Sequence, residues 1–182
     1  MTVLAQANIG LIFGTDTGNT EEIGGKIAAA LATYGCSVEM INVTEATSQA
    51  IEAFDFLIMG IPTWDFGGIQ EDWEDFEEEI IATQLAGKTV ALYGLGDQLG
   101  YGDYFVDAMG WLKDKLQATG ANMVGAWSTD GYDFEESLAL NEDRTKFCGL
   151  AIDEDQQFEL TDQRISLWVD QVAAEVNAAA AA

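Results

Sequence analysis

Strand-length apolar runs alternate with segments of helical period along almost the whole chain, and this alternation restricts the possible fold more than any other feature. Ile9 to Phe13, Ser37 to Val43, Phe54 to Gly60 and Thr89 to Gly94 read as four strands, with a fifth near Asn122 to Trp127. Phe54 to Gly60 is apolar at nearly every position, the pattern of a strand buried on both faces. After the first strand, Ile23, Ile27, Ala30, Leu31 and Tyr34 fall on one helix face that Gly35 closes. Gly24 and Gly25 inside that helix cost about 1 kcal/mol each relative to Ala, which close packing against a sheet would explain. Ile69, Trp73, Phe76 and Ile80 share one face of an acidic helix, and Phe105 to Leu116 and Ile165 to Val176 give two more amphipathic helices. The pattern predicts an α/β fold, a doubly wound five-stranded parallel sheet with helices on both faces and right-handed crossovers.

Two stretches break the alternation. Ser128 to Lys146 is polar, acidic and aromatic-bearing, too long for a simple connection, and reads as an insertion splitting the last strand. Asn177 to Ala182 reads as a frayed tail. No repeat or linker marks a second domain, so residues 1–182 are expected to form one domain.

Charge narrows the chemistry. The chain of 182 residues carries 7 Lys and Arg against 32 Asp and Glu, a formal net charge of −25, and contains no histidine. Nucleic acid and anionic membrane surfaces would both repel it. Without an imidazole there is no Ser-His-Asp or Cys-His nucleophile and no side chain titrating unperturbed near neutrality. Cys36 and Cys148 are too few and too far apart to bind an iron-sulfur cluster or structural zinc, and read as free thiols in a reducing compartment. No apolar run is long enough to span a bilayer, and Met1 to Gln6 lacks a basic leader region, so the expected setting is the cytoplasm. At 48% hydrophobic residues, the chain is expected to fold as one compact soluble domain with a substantial core, and a monomer is the expected state.

Three loops should meet where the carboxyl ends of the strands form a switch point. Thr15, Asp16, Thr17, Gly18, Asn19 and Thr20 lie between the first strand and first helix, where hydroxyls and uncapped N–H groups can surround an anion. The loop lacks Lys and Arg, the GKS or GKT ending of a P-loop, and the GxGxxG spacing, so a single monoester phosphate fits better than a triphosphate or dinucleotide. The competing reading is an ordinary turn capped by Asn19 or Thr20. The second loop contains Pro62, Thr63, Trp64, Asp65, Phe66, Gly67 and Gly68. The third contains Leu95, Gly96, Asp97, Gly100, Tyr101, Gly102, Asp103 and Tyr104. Trp64 or Tyr101 alone would read as core or rim; together, beside a phosphate loop, they could sandwich a planar heterocycle.

The segments IFGTDTGNTEEI, GIPTWDFGGIQEDW, VALYGLGDQLGYGDYFVDA, STDGYDF and GLAIDEDQQFELTDQRI closely resemble the long-chain flavodoxin family, and flavodoxin with FMN is itself a standard example of the switch-point rule. The resemblance implies a flavodoxin-like sheet of order 2-1-3-4-5 and FMN as cofactor. It places Thr15, Thr17, Asn19 and Thr20, with the N–H groups of Asp16 and Gly18, around the phosphate. It puts Trp64 on the inner flavin face, Tyr101 on the outer face, and Asp97 with the backbone of Leu95 and Gly96 at the pyrimidine edge, within a set that includes Pro62, Thr63 and Tyr104. It makes the Asp65–Phe66 peptide the one that flips on reduction, with Gly67 giving the loop flexibility.

The implied function is a low-potential one-electron carrier, not an enzyme, cycling FMN between semiquinone and hydroquinone. Implied partners are ferredoxin-NADP reductase, a pyruvate-oxidising enzyme, photosystem I or nitrogenase reductase, the last with a link to nitrogen fixation. The seven carboxylates Glu71, Asp72, Glu74, Asp75, Glu77, Glu78 and Glu79 read as a solvated helix face, or as a field that makes the second electron harder to add. The alternatives are an FMN-dependent NAD(P)H or quinone reductase, which needs cations near the flavin, and a phospho-acceptor module, which needs carboxylates where Thr15 and Thr17 stand. Asp153, Glu154 and Asp155 read as an acidic solvated turn or a magnesium site.

Overall fold

The computed structural model describes residues 3–181. In chain order it forms α1 (Val3–Gln6), β1 (Ile9–Phe13), α2 (Asn19–Ala32), β2 (Val38–Asn42), α3 (Ser48–Glu52), β3 (Phe56–Trp64) and β4 (Gly68–Ile69). There follow α4 (Glu71–Asp75), α5 (Glu77–Ala82), β5 (Thr89–Leu95), α6 (Asp107–Gln117) and β6 (Asn122–Val124). The last elements are β7 (Trp127–Ser128), β8 (Lys146–Phe147), β9 (Leu150–Ile152) and α7 (Thr161–Ala181).

The main path of the sheet runs β2-β1-β3-β5-β6, and its paired strands are parallel. Side chains of β3 alternate between its two faces, as a pleated strand requires. Leu57, Met59 and Ile61 join the core on one face with Trp73, Ile80 and Leu112. Phe56 and Ile58 join the other with Ile23, Ile27, Trp168 and Val169. Helices α2 and α7 therefore cover one face, and α4, α5 and α6 the other.

The fifth strand position is shared. β6 pairs with Thr89 to Ala91 of β5, and β9 pairs with Tyr93 to Leu95. The chain between them leaves the sheet at Gly125, whose φ of 84° is a left-handed conformation open to glycine, and the short antiparallel pair of β7 with β8 closes the base of the insertion. Beneath it Phe105 and Phe147 pack against each other and each against Tyr132 and Phe134, with ring centroids 5.2 to 5.7 Å apart.

Several expectations need correction. The acidic helix is two short helices broken at Phe76, whose φ of −87° and ψ of 0° interrupt the ladder, while Ile69 belongs to β4. The expected fifth strand ends at Val124, with Trp127 in β7. The residues 177–181 of the expected frayed tail continue α7 as helix, and Asn177 accepts a hydrogen bond from Leu4 N at 3.3 Å; Ala182 lies outside the described residues. Gly24 is explained by packing, since a Cβ there would lie 2.6 Å from the Tyr93 hydroxyl, whereas Gly25 has open space. Among the described residues, no helix is long and apolar enough to cross a membrane.

Candidate functional site

The carboxyl ends of β1, β3 and β5 open into one cavity of about 230 Å³. Its first wall is the loop from Thr15 to Thr20. Gly18, with φ 90°, is the N-cap of α2 and no side chain caps the helix, so the first-turn N–H groups face the loop without a side-chain acceptor. Neither Asn19 nor Thr20, the residues an ordinary capped turn would use, is the cap. The loop is closed by a hydrogen bond from Gly18 N to Thr15 Oγ1 at 2.9 Å, which occupies the Gly18 N–H expected to face a phosphate.

The loop is held from below by Tyr93. Its side chain is fully buried in β5, and its hydroxyl donates to the Thr20 carbonyl at 2.8 Å. Gly60 and Gly24 lie against this ring, where added side chains would collide with it. Burial, with the charge of Glu21 adding to it, pushes the Tyr93 phenol far above its ordinary range, so it remains a neutral donor.

The second wall is the β3–β4 hairpin. Trp64 pairs with Gly68 across the three residues Asp65, Phe66 and Gly67, a tight loop with left-handed residues at Asp65 (φ 42°) and Gly67 (φ 84°). Asp tolerates this conformation better than most residues with a side chain. Pro62 pairs with Leu95 in β5 but lies beyond the end of β1, whose last partner in β3 is Gly60, so its missing N–H breaks no ladder. The Thr63 hydroxyl accepts from Ala108 N at 3.1 Å and ties the hairpin to α6.

The third wall is the loop from Leu95 to Tyr104. Burial would raise the Asp97 carboxyl, but hydrogen bonds from Gly100 N (2.7 Å), Gln156 Nε2 (3.0 Å) and Leu99 N (3.1 Å) outweigh it and hold the group below its ordinary value. The insertion braces this loop from outside. Glu135 N and Glu136 N both donate to the Gly102 carbonyl, and Asp133 N donates to Gln98 Oε1 at 2.5 Å.

Trp64 and Tyr101, each little more than one-third exposed, line the cavity from different loops. Lining carboxylates come from Asp16, Asp65, Asp97, Glu154 and Asp155, and no lysine or arginine lines it. Neutral hydroxyls and an uncapped helix start at one end, with two aromatic rings at the other, fit a phosphorylated planar ring system.

The sequence profile of the family described as Flavodoxin matches residues 11–168. The chain belongs to the flavodoxin family. A flavodoxin of Picosynechococcus sp. is 49% identical over 168 residues, covering 91% of this chain and 96% of that protein. Flavodoxin 2 of Salmonella typhi is 46% identical over 169 residues, covering 93% and 96%. Among solved structures, Fusobacterium nucleatum flavodoxin bound to flavin mononucleotide is similar with a TM-score of 0.85 at 32% identity, covering 93% of this chain and 98% of that one.

Of the residues expected at a flavodoxin site, Thr15, Asp16, Thr17, Asn19, Thr20, Pro62, Thr63, Trp64, Asp65, Leu95, Gly96, Asp97, Tyr101 and Tyr104 line the cavity. Gly18, Phe66 and Gly67 do not. Phe66 is 76% exposed and stands outside the rim, edge-on to Tyr101 at 5.9 Å and to Tyr104 at 5.8 Å. Gly67 turns the hairpin toward Asp107.

Glu154 and Asp155 line the cavity of this flavodoxin without having been assigned to its flavin site, and burial raises both carboxyls above their ordinary values. Their signal was position, directly after the half-strand that completes the sheet edge. Asp153 is buried, not solvated: its carboxylate accepts from Gln98 N (2.9 Å), Gln98 Nε2 (2.8 Å), Asp155 N (3.0 Å) and Gln156 N (2.9 Å). Among the described residues, no group of three or more His, Cys, Asp or Glu could hold a metal ion. None of the seven carboxylates between Glu71 and Glu79 lines the cavity; the lining carboxylates come from the loops after β1, β3, β5 and β9.

Proposed function

We propose that this flavodoxin holds one FMN in the cavity and carries single electrons at low potential between partner proteins. Flavodoxins are FMN-binding electron carriers rather than enzymes. The observation that carries the reading for this chain is the joining, in one cavity, of an uncapped hydroxyl-rich helix start with the rings of Trp64 and Tyr101. Thr15, Thr17, Asn19 and Thr20 would hold the phosphate, Trp64 and Tyr101 would cover the two ring faces, and the backbone of Leu95 to Asp97 would meet the pyrimidine edge. Bound FMN supplies the electron-accepting ring system. The protein excludes water from that ring, orients it and sets the charge around it.

The five lining carboxylates favour a low potential for the second electron. One carboxylate about 10 Å from an added negative charge is worth about 0.4 kcal/mol in a water-like dielectric, or about 18 mV for one electron. Several acting together lower the potential appreciably, so the working couple lies between the one-electron-reduced and two-electron-reduced cofactor. The net charge of −25 suits a partner with a basic docking face and gives fast, salt-sensitive encounters. The family resemblance names ferredoxin-NADP reductase, a pyruvate-oxidising enzyme, photosystem I and nitrogenase reductase as candidates, in the cytoplasm and with the carrier a monomer.

Titration of the purified apoprotein with FMN tests the binding. Flavin fluorescence should be quenched to an end point of one FMN per chain, and Trp64→Ala or Tyr101→Ala should weaken binding at least about tenfold. Rapid oxidation of NADPH by the loaded protein alone would favour the reductase reading.

A further inference from the structure

Gln70 is a buried polar side chain outside the cavity lining, 1% exposed. Its amide nitrogen donates to two carboxylates, Asp16 Oδ1 at 3.1 Å and Asp72 Oδ2 at 2.7 Å. Its amide oxygen has no hydrogen-bond partner among the described residues and lies against Gly14, where a Cβ would collide with it. The reverse orientation would set a carbonyl oxygen against two carboxylates, so the unpartnered oxygen follows from the two bonds made by the nitrogen.

Asp16 is the one carboxylate in the sequence Thr15 to Thr20, and it lines the cavity. A phosphate dianion held by neighbouring hydroxyls and N–H groups would be repelled by it, with no lysine or arginine in the lining to offset the charge. We propose that Gln70 is a positioning residue that tethers the Asp16 carboxylate away from the anion and so keeps the loop competent to bind phosphate. The inference rests on the FMN reading of the cavity and adds to it a specific device for discriminating phosphorylated from unphosphorylated flavin. Asp72, in the first turn of α4, accepts from the same amide nitrogen, so one side chain links the start of α4 to the phosphate loop.

The test titrates the full-length apoprotein with FMN and with riboflavin at one ionic strength, in wild type, Gln70→Met, Asp16→Asn and the double variant. Gln70→Met keeps the side-chain volume and removes the donor. It should weaken FMN binding about tenfold, the size of one charge-assisted hydrogen bond, and change riboflavin binding by less than about twofold. Asp16→Asn should bind FMN more tightly than wild type, and Gln70→Met should cost nothing further in that background. Equal losses for FMN and riboflavin, or a full FMN loss that persists with Asp16→Asn, would overturn this proposal alone. A wild-type protein that binds neither flavin would overturn the FMN reading and this proposal with it.

Discussion

The Asp65 carboxylate lies close enough to the Tyr101 hydroxyl to raise its pKa, coupling two loops that line the cavity from different strand ends. The Asp65 charge, then hydrogen bonding to Asp65, then slight burial and the charge of Asp97, push the phenol above its ordinary value. Asp65→Asn should therefore move the Tyr101 pKa downward toward 10.0. Ultraviolet difference titration of the apoprotein, with Tyr101→Phe identifying the signal, reads this shift; an unchanged or higher pKa would show that the two groups do not interact in solution.

Neighbouring glycines in α2 should respond with opposite sign. Gly25 has open space around its Cβ position and an ordinary helical backbone, so Gly25→Ala should stabilise the protein by about 0.5–1 kcal/mol. At Gly24 the new methyl would meet the Tyr93 hydroxyl at 2.6 Å and Leu11 at 3.0 Å, so Gly24→Ala should destabilise by about 1–3 kcal/mol. Urea unfolding of the two variants measures both, and similar shifts would contradict the packing described for Tyr93.

The insertion is tied to the sheet chiefly through Tyr132. Its hydroxyl donates to the Ala151 carbonyl in β9 at 2.5 Å and accepts from Trp127 Nε1 at 2.9 Å, while the Arg164 guanidinium lies 3.9 Å from the ring centroid. Tyr132→Phe keeps the ring and leaves the indole donor unsatisfied, at a cost of about 1–3 kcal/mol. Hydrogen exchange should speed up most in β9 and the insertion; a uniform change across the sheet would contradict a local tie.

Burial raises the Tyr132 phenol and the Cys148 thiol to about 12, from ordinary values of 10.0 and 9.0. Both groups keep their protons in the native state after the unfolded chain has released them. Their contribution is complete below about pH 9 and is lost as pH rises toward 12. Urea midpoints should fall steadily over this range. Burial also raises the Cys36 thiol, and both cysteines are free, so neither should be alkylated quickly at pH near 8 until urea is added.

What could be read from the sequence followed from burial. Strands β1, β3 and β5 are covered on both faces, so Ile9 to Phe13, Phe56 to Gly60 and Val90 to Tyr93 announce themselves as apolar runs. The loops that line the cavity were legible because Trp64, Tyr101 and the threonines are unusual residues at the ends of such runs. Glu154 and Asp155 were not, because their place at the cavity depends on β9 completing a strand position that begins 28 residues earlier at Asn122. The acidic segment after Gln70 lies close to Trp64 in sequence, yet none of its seven carboxylates lines the cavity: Glu77 pairs with Lys115, and Asp72 accepts from Gln70. Gln70 carries no local signal, because its burial against Gly14 depends on contacts between segments that no local pattern records.

Spectroelectrochemical titration of the FMN-loaded protein tests electron carriage most directly. Two separated one-electron steps, the second at markedly lower potential and raised by added salt as the lining carboxylates are screened, are the expected result. A single two-electron step, with no one-electron-reduced form accumulating, would contradict it.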